Sequence, residues 1–232
     1  MLDSLTMHVE SKQLVSPGEL LCEGDCLAGE NTFREKDRVY ASHIGVVDFN
    51  EKRVSVIPLK GPYLPHPEDI VIGRIVDLLM SGWMADIRAP YPAILPASEV
   101  TGQERGRPVS DLSSLLNVGD LVISKVLEFD RTRDPLITLK GPGLGRVTTG
   151  KIVELSSVKI PRLIGRQGSM VEMLKKETNS HILVGQNGIV LVSSDSPAGE
   201  RTAIAAINMI EREAHTQGLT DRIKAMIAKE MR

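Results

Sequence analysis

Residues 160–171 constrain the fold of this chain more than any other segment of their length. Their centre is the turn Gly165-Arg166-Gln167-Gly168, here called the first turn. Two glycines at this spacing let the backbone turn sharply, so main-chain N–H groups stay open to an anion. Arg166 and Gln167 add a cation and an amide to the same place. This combination predicts a turn that holds the backbone of a single-stranded nucleic acid.

The spacing alone is a weak signal, because a second Gly-x-x-Gly, here called the second turn, occurs at residues 185–188. The second turn lies between two apolar β-branched runs, residues 182–184 and 189–192, and this context predicts a β-hairpin. The first turn is instead followed by Ser169 and Glu172, which predict a capping box at the start of a helix. The flanking residues therefore distinguish the two turns.

The segments around the first turn alternate between strand and helix patterns. Residues 151–158 alternate like a strand, and residues 158–164 suit one short helix. After the predicted hairpin, Ser196 and Pro197 are typical of a helix start, and the apolar residues in 203–210 recur at helical spacing. The predicted order is strand, helix, first turn, helix, strand, strand and helix.

This order, with Ile164-Gly165-x-x-Gly168-x-x-Val171 at its centre, resembles a KH domain of the strand-first type over residues 148–215. An ordinary α+β domain with a helix–helix turn is the alternative. The KH family binds about four nucleotides of RNA. No aromatic residue follows Phe129, so this region has no ring for stacking a base, and weak sequence preference is expected. The resemblance implies RNA-backbone contacts from Gly165, Arg166, Gln167 and Gly168, with electrostatic support from Lys159, Arg162 and Lys175.

The charge distribution agrees with an RNA-binding C-terminal region. The net charge of the 232 residues is −2, whereas residues 148–232 hold twelve basic against nine acidic side chains. A mildly acidic protein with one basic region is expected to bind RNA as part of a larger assembly. No apolar stretch is long enough to span a bilayer and the first residues lack a signal-peptide pattern, so a soluble cytoplasmic protein is expected.

Cys22 and Cys26 are the only cysteines. No second Cys/Cys or Cys/His pair follows at a spacing suited to zinc. The pattern favours two buried or half-buried thiols in a strand-turn region, with no metal and no cofactor.

Short strands separated by turn signals occupy the central region. They are predicted at residues 70–76, 83–87, 93–96, 121–126 (after a turn at 118–120) and 135–140. Five strands in this space, with the late Val118-Gly119-Asp120, resemble the S1 RNA-binding domain, an OB-fold barrel. Gly82-Trp83 stands where that family carries glycine and then an aromatic on the binding face. The resemblance implies that Trp83 stacks a base, and a core or interface role for Trp83 is the open alternative.

The N-terminal region is β-rich and carries no catalytic pattern. Strands are predicted at residues 41–47 and 53–59, and neither a nucleophile elbow nor a P-loop occurs. A small β-domain without chemistry is most simply a docking module, and the chain is predicted not to be an enzyme.

The fold class is thus mixed and multi-domain: an N-terminal β-rich docking domain (1–66), an S1-like OB-fold barrel (67–147) and an α+β KH-like domain with a C-terminal helix (148–232). Together with residues 56–65 and 139–146, this order resembles the RNA-binding cap subunits of the archaeal exosome. The sister cap type has a zinc ribbon, and the single cysteine pair argues against it.

The resemblance implies specific partners. Three cap subunits, all of this kind or mixed with the zinc-ribbon type, sit on a hexameric ring of RNase-PH-like subunits. The cap captures single-stranded RNA and guides its 3′ end into the ring for 3′-to-5′ degradation or tailing. The alternative is an independent RNA-binding factor in transcription or translation. Whether residues 141–145 form a hinge or a rigid corner stays open.

Overall fold

A computed structural model describes residues 6–101, 112–130, 132–214, 216 and 218–230. The chain divides into two compact units, one ending at Gly61 and the other beginning at Pro62. The mixed, multi-domain fold class is confirmed, while the boundaries of the three predicted domains stay a prediction. Among the described residues, no helix has both the length and the apolar character needed to cross a membrane.

The N-terminal unit consists of two four-stranded sheets that share one apolar core. The sheet orders are β1-β3-β6-β5 and β2-β7-β8-β4. Val39 and Ala41 of the first sheet and Val47 and Val56 of the second belong to this core and are almost fully buried. The strands are β1 Thr6–Met7, β2 Leu14–Val15, β3 Leu20–Glu23, β4 Leu27–Ala28, β5 Thr32–Glu35, β6 Arg38–Ala41, β7 Gly45–Asn50 and β8 Arg53–Pro58.

Cys22 and Cys26 are joined by a disulfide and are both fully buried. The expectation of two thiols was therefore wrong, although their position in a strand and the following turn was right. The bond closes the connection between β3 and β4.

The second unit begins with a closed five-stranded barrel. Strand β9 lies between β10 and β12, and the barrel closes because β13 pairs antiparallel with β12 and parallel with β11. The elements are β9 Ile70–Leu79, β10 Gly82–Asp86, β11 Ala93–Pro96, helix α1 Ser98–Thr101, a 3-10 turn Leu112–Ser114, β12 Leu121–Asp130, β13 Arg133–Thr138 and the short β14 Gly145–Arg146.

The chain leaves the barrel along its surface. Strand β14 pairs with β12, and an Arg146 guanidinium nitrogen lies 2.8 Å from Asp120 Oδ1. These contacts hold the last part of the predicted 141–145 connection against the barrel, which favours a corner over a hinge there.

The C-terminal part has a three-stranded antiparallel sheet of order β15-β17-β16, covered by helices over one apolar core. It follows the predicted KH order, and the second turn connects β16 to β17 as a hairpin. Helix α4 begins as predicted, because Ser196 Oγ accepts from Gly199 N and Pro197 is the first helical residue. The elements are β15 Lys151–Glu154, α2 Ile160–Ile164, α3 Ser169–Thr178, β16 His181–Val184, β17 Ile189–Ser193, α4 Pro197–Glu213 and α5 Leu219–Glu230, with 3-10 turns at Ser157–Lys159 and Arg166–Gly168.

Candidate nucleic-acid interface

The first turn is an exposed loop between α2 and α3. Gly165 ends α2 and donates its N–H to Pro161 O at 2.9 Å. Gln167 (φ 51°) and Gly168 (φ 81°) are both left-handed, which reverses the chain within two residues. Arg166 and Gln167 are both exposed, so a cation and an amide are presented to solvent as the sequence predicts.

The start of α3 differs from the predicted capping box. The N-cap position is Gly168, and no side chain makes a cap hydrogen bond there. Glu172 instead lies 2.8 Å from Lys175 Nζ. The N–H of Ser169 donates to Arg166 O and the N–H of Gly168 donates to Gly165 O (3.3 Å), so these two groups are bonded within the turn. The exposed side chains of Arg166 and Gln167 are therefore the groups of the first turn that suit a phosphate oxygen.

The flanking cations are placed unequally. Arg162 is exposed in α2, just before the first turn, with Nη2 3.4 Å from Thr216 O. Lys159 Nζ donates to Glu211 O (2.6 Å) and lies 2.8 Å from Glu211 Oε1, which ties the start of α2 to the end of α4. Arg162 is therefore the flanking cation best placed to support RNA binding, whereas the charge of Lys159 is already partly neutralised.

Lys175 stands six residues into α3, about 9 Å along the helix axis from Ser169. It lines a polar cavity of about 360 Å³ with Lys176 and His181. Its link to the first turn is therefore indirect, and its paired carboxylate Glu172 reduces its attraction for phosphate.

Trp83 does not lie on a binding face. Its exposed fraction is 0%, and its Nε1 donates to Leu116 O at 2.9 Å inside the barrel core. A side chain without exposed surface cannot stack on a base, so the stacking prediction for Trp83 is corrected to a core role. The strand alternation of β10 instead places Met84 outward.

An aromatic pair that sequence reasoning missed lies on the barrel surface. The rings of Tyr91 and Phe129 have centroids 5.9 Å apart and planes tilted by 44°. Tyr91 is 40% exposed. These residues are distant in sequence, and Tyr91 precedes β11 in a loop, so no local pattern could have paired them. Aromatic faces of this kind accept bases of any identity.

The surroundings of this pair are acidic. Phe129 lines a cavity of about 260 Å³ together with Asp130, Arg133 and other residues of β11, β12 and β13. The hydroxyl and the backbone N–H of Thr132 donate to Asp130, which lowers the pKa of that carboxyl from its ordinary value. The pair therefore suits the ring face of a base better than a phosphate. The remaining lining residues are Ile94, Glu128, Asp134 and Leu136.

Comparisons with known proteins cover both units. A family described as the exosome RNA binding protein RRP4 N-terminal domain matches residues 12–60. The Exosome complex component Rrp4 of Thermofilum pendens is 42% identical over 232 residues, which is 99% of this chain and 98% of that protein.

A less similar relative carries the same description, and a solved structure is also similar to this chain. The Exosome complex component Rrp4 of Nitrosopumilus maritimus is 37% identical over 220 residues, covering 95% of this chain and 97% of that protein. A crystal structure described as an exosome complex RNA-binding protein is 42% identical, with a TM-score of 0.69 over 74% of this chain and 98% of that one.

Proposed function

This chain belongs to the family of Rrp4 exosome complex components, and from that premise we propose that it is a non-catalytic cap subunit that captures single-stranded RNA. The cap passes the 3′ end of the RNA to a ring of RNase-PH-like subunits, which performs the 3′-to-5′ chemistry. This role is consistent with the absence of a recognised catalytic motif in the sequence.

The first turn is the observation that carries RNA binding. An exposed cation and an exposed amide meet at Arg166 and Gln167, directly before the start of α3. Each of these groups interacts with a phosphate oxygen without regard to the base. Arg162 supports them from α2, and the Tyr91–Phe129 pair on the barrel supplies the aromatic surface that the C-terminal region lacks. RNA held in this way has a fixed backbone path and little base preference.

The N-terminal unit supplies a surface for docking on the ring. Leu14, Val46 and Ile57 are paired across β2, β7 and β8 and form one apolar row on the outer face of their sheet. Leu14 is 56% and Ile57 53% exposed. An outward apolar row on a small β-unit is typical of a protein contact, because burying it removes apolar surface from water.

Assembly and RNA decay test this proposal. The chain is mixed with a purified archaeal RNase-PH-like ring, and the mass of the complex is measured by light scattering. We expect a stable complex, faster decay of a single-stranded RNA than with the ring alone, and no phosphate-dependent decay by the chain alone. A chain that stays monomeric beside the ring, or that degrades RNA by itself, would contradict the proposal.

A paired set of variants tests the docking row. Ile57→Glu places a charge in the apolar row and should prevent assembly while leaving RNA binding by the free chain unchanged. Phe33→Glu is the matched control, since Phe33 is 44% exposed on the other sheet of the same unit. If only the control variant failed to assemble, the docking surface would lie on the other sheet.

A further inference from the structure

Two arginines from different helices meet at the connection between α4 and α5. Arg162 of α2 has its Nη2 3.4 Å from Thr216 O in that connection. Arg222 of α5 donates from Nη2 to Thr216 Oγ1, and the same nitrogen lies 3.0 Å from Glu213 Oε2 at the end of α4. One threonine therefore contacts both guanidinium groups.

Helix α5 lies outside the KH-like order, which ends with α4. It packs against α3 and α4, and Leu219, Ile223 and Ile227 are buried in the same core as the helices that flank the first turn. The side chain of Arg222 is 45% exposed on this packed helix. The chain thus presents, beside α2, a cation that the KH-like order alone does not supply.

The position of Arg222 does not favour the stability of α5 itself. Arg222 is the fourth residue of that helix, close to the end where the helix dipole favours acidic side chains over cations. Glu213 is also partly exposed, and ion pairs in contact with solvent contribute little to stability. Asp221, the preceding residue, lies about 100° around the helix from Arg222. A role in ligand binding explains this cation better than a role in folding.

Arg222 keeps donors for an anion. In the part of the chain that the structure describes, both of its side-chain contacts use Nη2, and a guanidinium carries five N–H donors in a planar fork. Such a fork matches the oxygens of a phosphate group. Arg162 also uses Nη2 for its contact with Thr216, and it lies four residues before Arg166 of the first turn. The two guanidiniums suit an RNA backbone that continues past the first turn.

We propose that Arg222 and Arg162 form a second RNA-backbone site, which extends the first turn onto α5. This inference rests on the proposed function and identifies where the bound strand continues. Glu213 holds Arg222 in the free protein and competes with phosphate for it. Because this ion pair is in contact with solvent, a phosphate group displaces the carboxylate at little cost.

Arg222→Gln and Glu213→Gln test the proposal, because both break the same ion pair in the full chain. If the pair only held α5 against α4, the two variants would change RNA affinity equally. An RNA contact gives opposite signs: we expect about fivefold weaker binding for Arg222→Gln and about twofold tighter binding for Glu213→Gln. Fluorescence anisotropy measures the affinity for a single-stranded RNA of about eight nucleotides, since a KH site alone holds about four.

Lys229→Gln is the matched control. Lys229 is exposed on the same face of α5, two helical turns or about 10 Å beyond Arg222, and its replacement removes the same charge. Its affinity should stay within about twofold of the parent. The slope of log K against log salt should fall by about 0.7 in Arg222→Gln and stay unchanged in Lys229→Gln and Glu213→Gln.

The side-chain Nε–H signals of the arginines report the contact directly by nuclear magnetic resonance. When RNA is added to the isotope-labelled parent chain, the signals of Arg222 and Arg162 should shift with the same midpoint as that of Arg166. The signal of Arg201, which is exposed on α4, should not move.

Unchanged affinity in Arg222→Gln, an equal loss in Glu213→Gln or Lys229→Gln, or a stationary Arg222 signal would overturn this proposal. Binding at the first turn, and with it the proposed function, would then still stand. If the parent chain bound no RNA, the proposed function itself would fail, and the second site would fail with it.

Discussion

The two Gly-x-x-Gly turns share a spacing and differ in almost every other respect. The first turn is exposed, joins two helices and presents Arg166 and Gln167 to solvent. The second turn joins two strands and buries Asn187 against the barrel. Their last glycines have nearly the same left-handed φ, 81° at Gly168 and 82° at Gly188. Nearly equal φ values at the last glycine therefore occur both in an exposed turn and in a turn that is packed against the barrel.

The largest difference should appear in stability. Gly188→Ala meets both a left-handed φ and the carbonyl of Leu155, and we expect it to lower the free energy of unfolding by about 3 kcal/mol. Gly168→Ala meets the same φ with nothing within 4 Å, and should cost about 1 kcal/mol. Chemical denaturation followed by circular dichroism measures both. Equal losses would mean that the second turn is not tightly seated.

For RNA affinity, in contrast to stability, substitutions in the first turn should have the larger effect. Replacing both Arg166 and Gln167 with Asp should weaken binding of a single-stranded RNA by about tenfold, because carboxylates repel phosphate at the proposed contact. The unfolding free energy should hardly change, since both side chains are exposed. Fluorescence anisotropy at fixed salt measures the affinity.

A variant with the same charge change provides the control for that experiment. Arg201 and Asn208 are exposed on one face of α4, and replacing both with Asp alters the net charge equally. If this control lost as much affinity as the first-turn variant, the effect would come from overall charge and the first turn would not be the contact.

A smaller effect sharpens the contrast between backbone and base contacts. Tyr91→Ala removes the more exposed ring of the barrel pair and should weaken RNA binding by about 1 kcal/mol, which is about fivefold. An abasic oligonucleotide of the same length should show no such loss, because it has no base to stack. Titrations of both oligonucleotides with both proteins check this, and an equal loss on the abasic strand would exclude stacking.

The smallest expected effect is in the salt dependence. Removing one phosphate contact by Arg166→Gln should reduce the slope of log K against log salt by about 0.7. Gln186→Ala in the second turn should leave the slope unchanged, since that turn makes no phosphate contact in the proposal. Affinities at four salt concentrations are sufficient, and the same slope in both variants would contradict the assignment.

Much of the fold follows from local patterns in the sequence. The KH element order and the five strands of the barrel were predicted from periodicity and turn residues, which report on neighbours close along the chain. The same reasoning assigned the hairpin at residues 185–188 correctly. It gave no reason to bury Asn187, because its partners Ile72 and Ile87 are 115 and 100 residues away.

The candidate site shows the same limit. The exposed first turn could be predicted because the motif and its flanking helices are local. Trp83 was misplaced because alternation along β10 determines two faces and does not say which one is inside the barrel. Phe129 lies on β12 and Tyr91 precedes β11, and these two strands are brought near each other through β13, an arrangement that no sequence period encodes.

The partners of Asn187 also bear on how the protein is made. Synthesis delivers the N-terminal part of a chain first, so β9 and β10 have left the ribosome before the second turn emerges. The barrel can then act as a template on which the later hairpin settles during translation. A fragment starting after residue 147 would lack Ile72 and Ile87 and would expose the Asn187 amide to water. The barrel therefore precedes, both along the chain and during synthesis, the turn that packs against it.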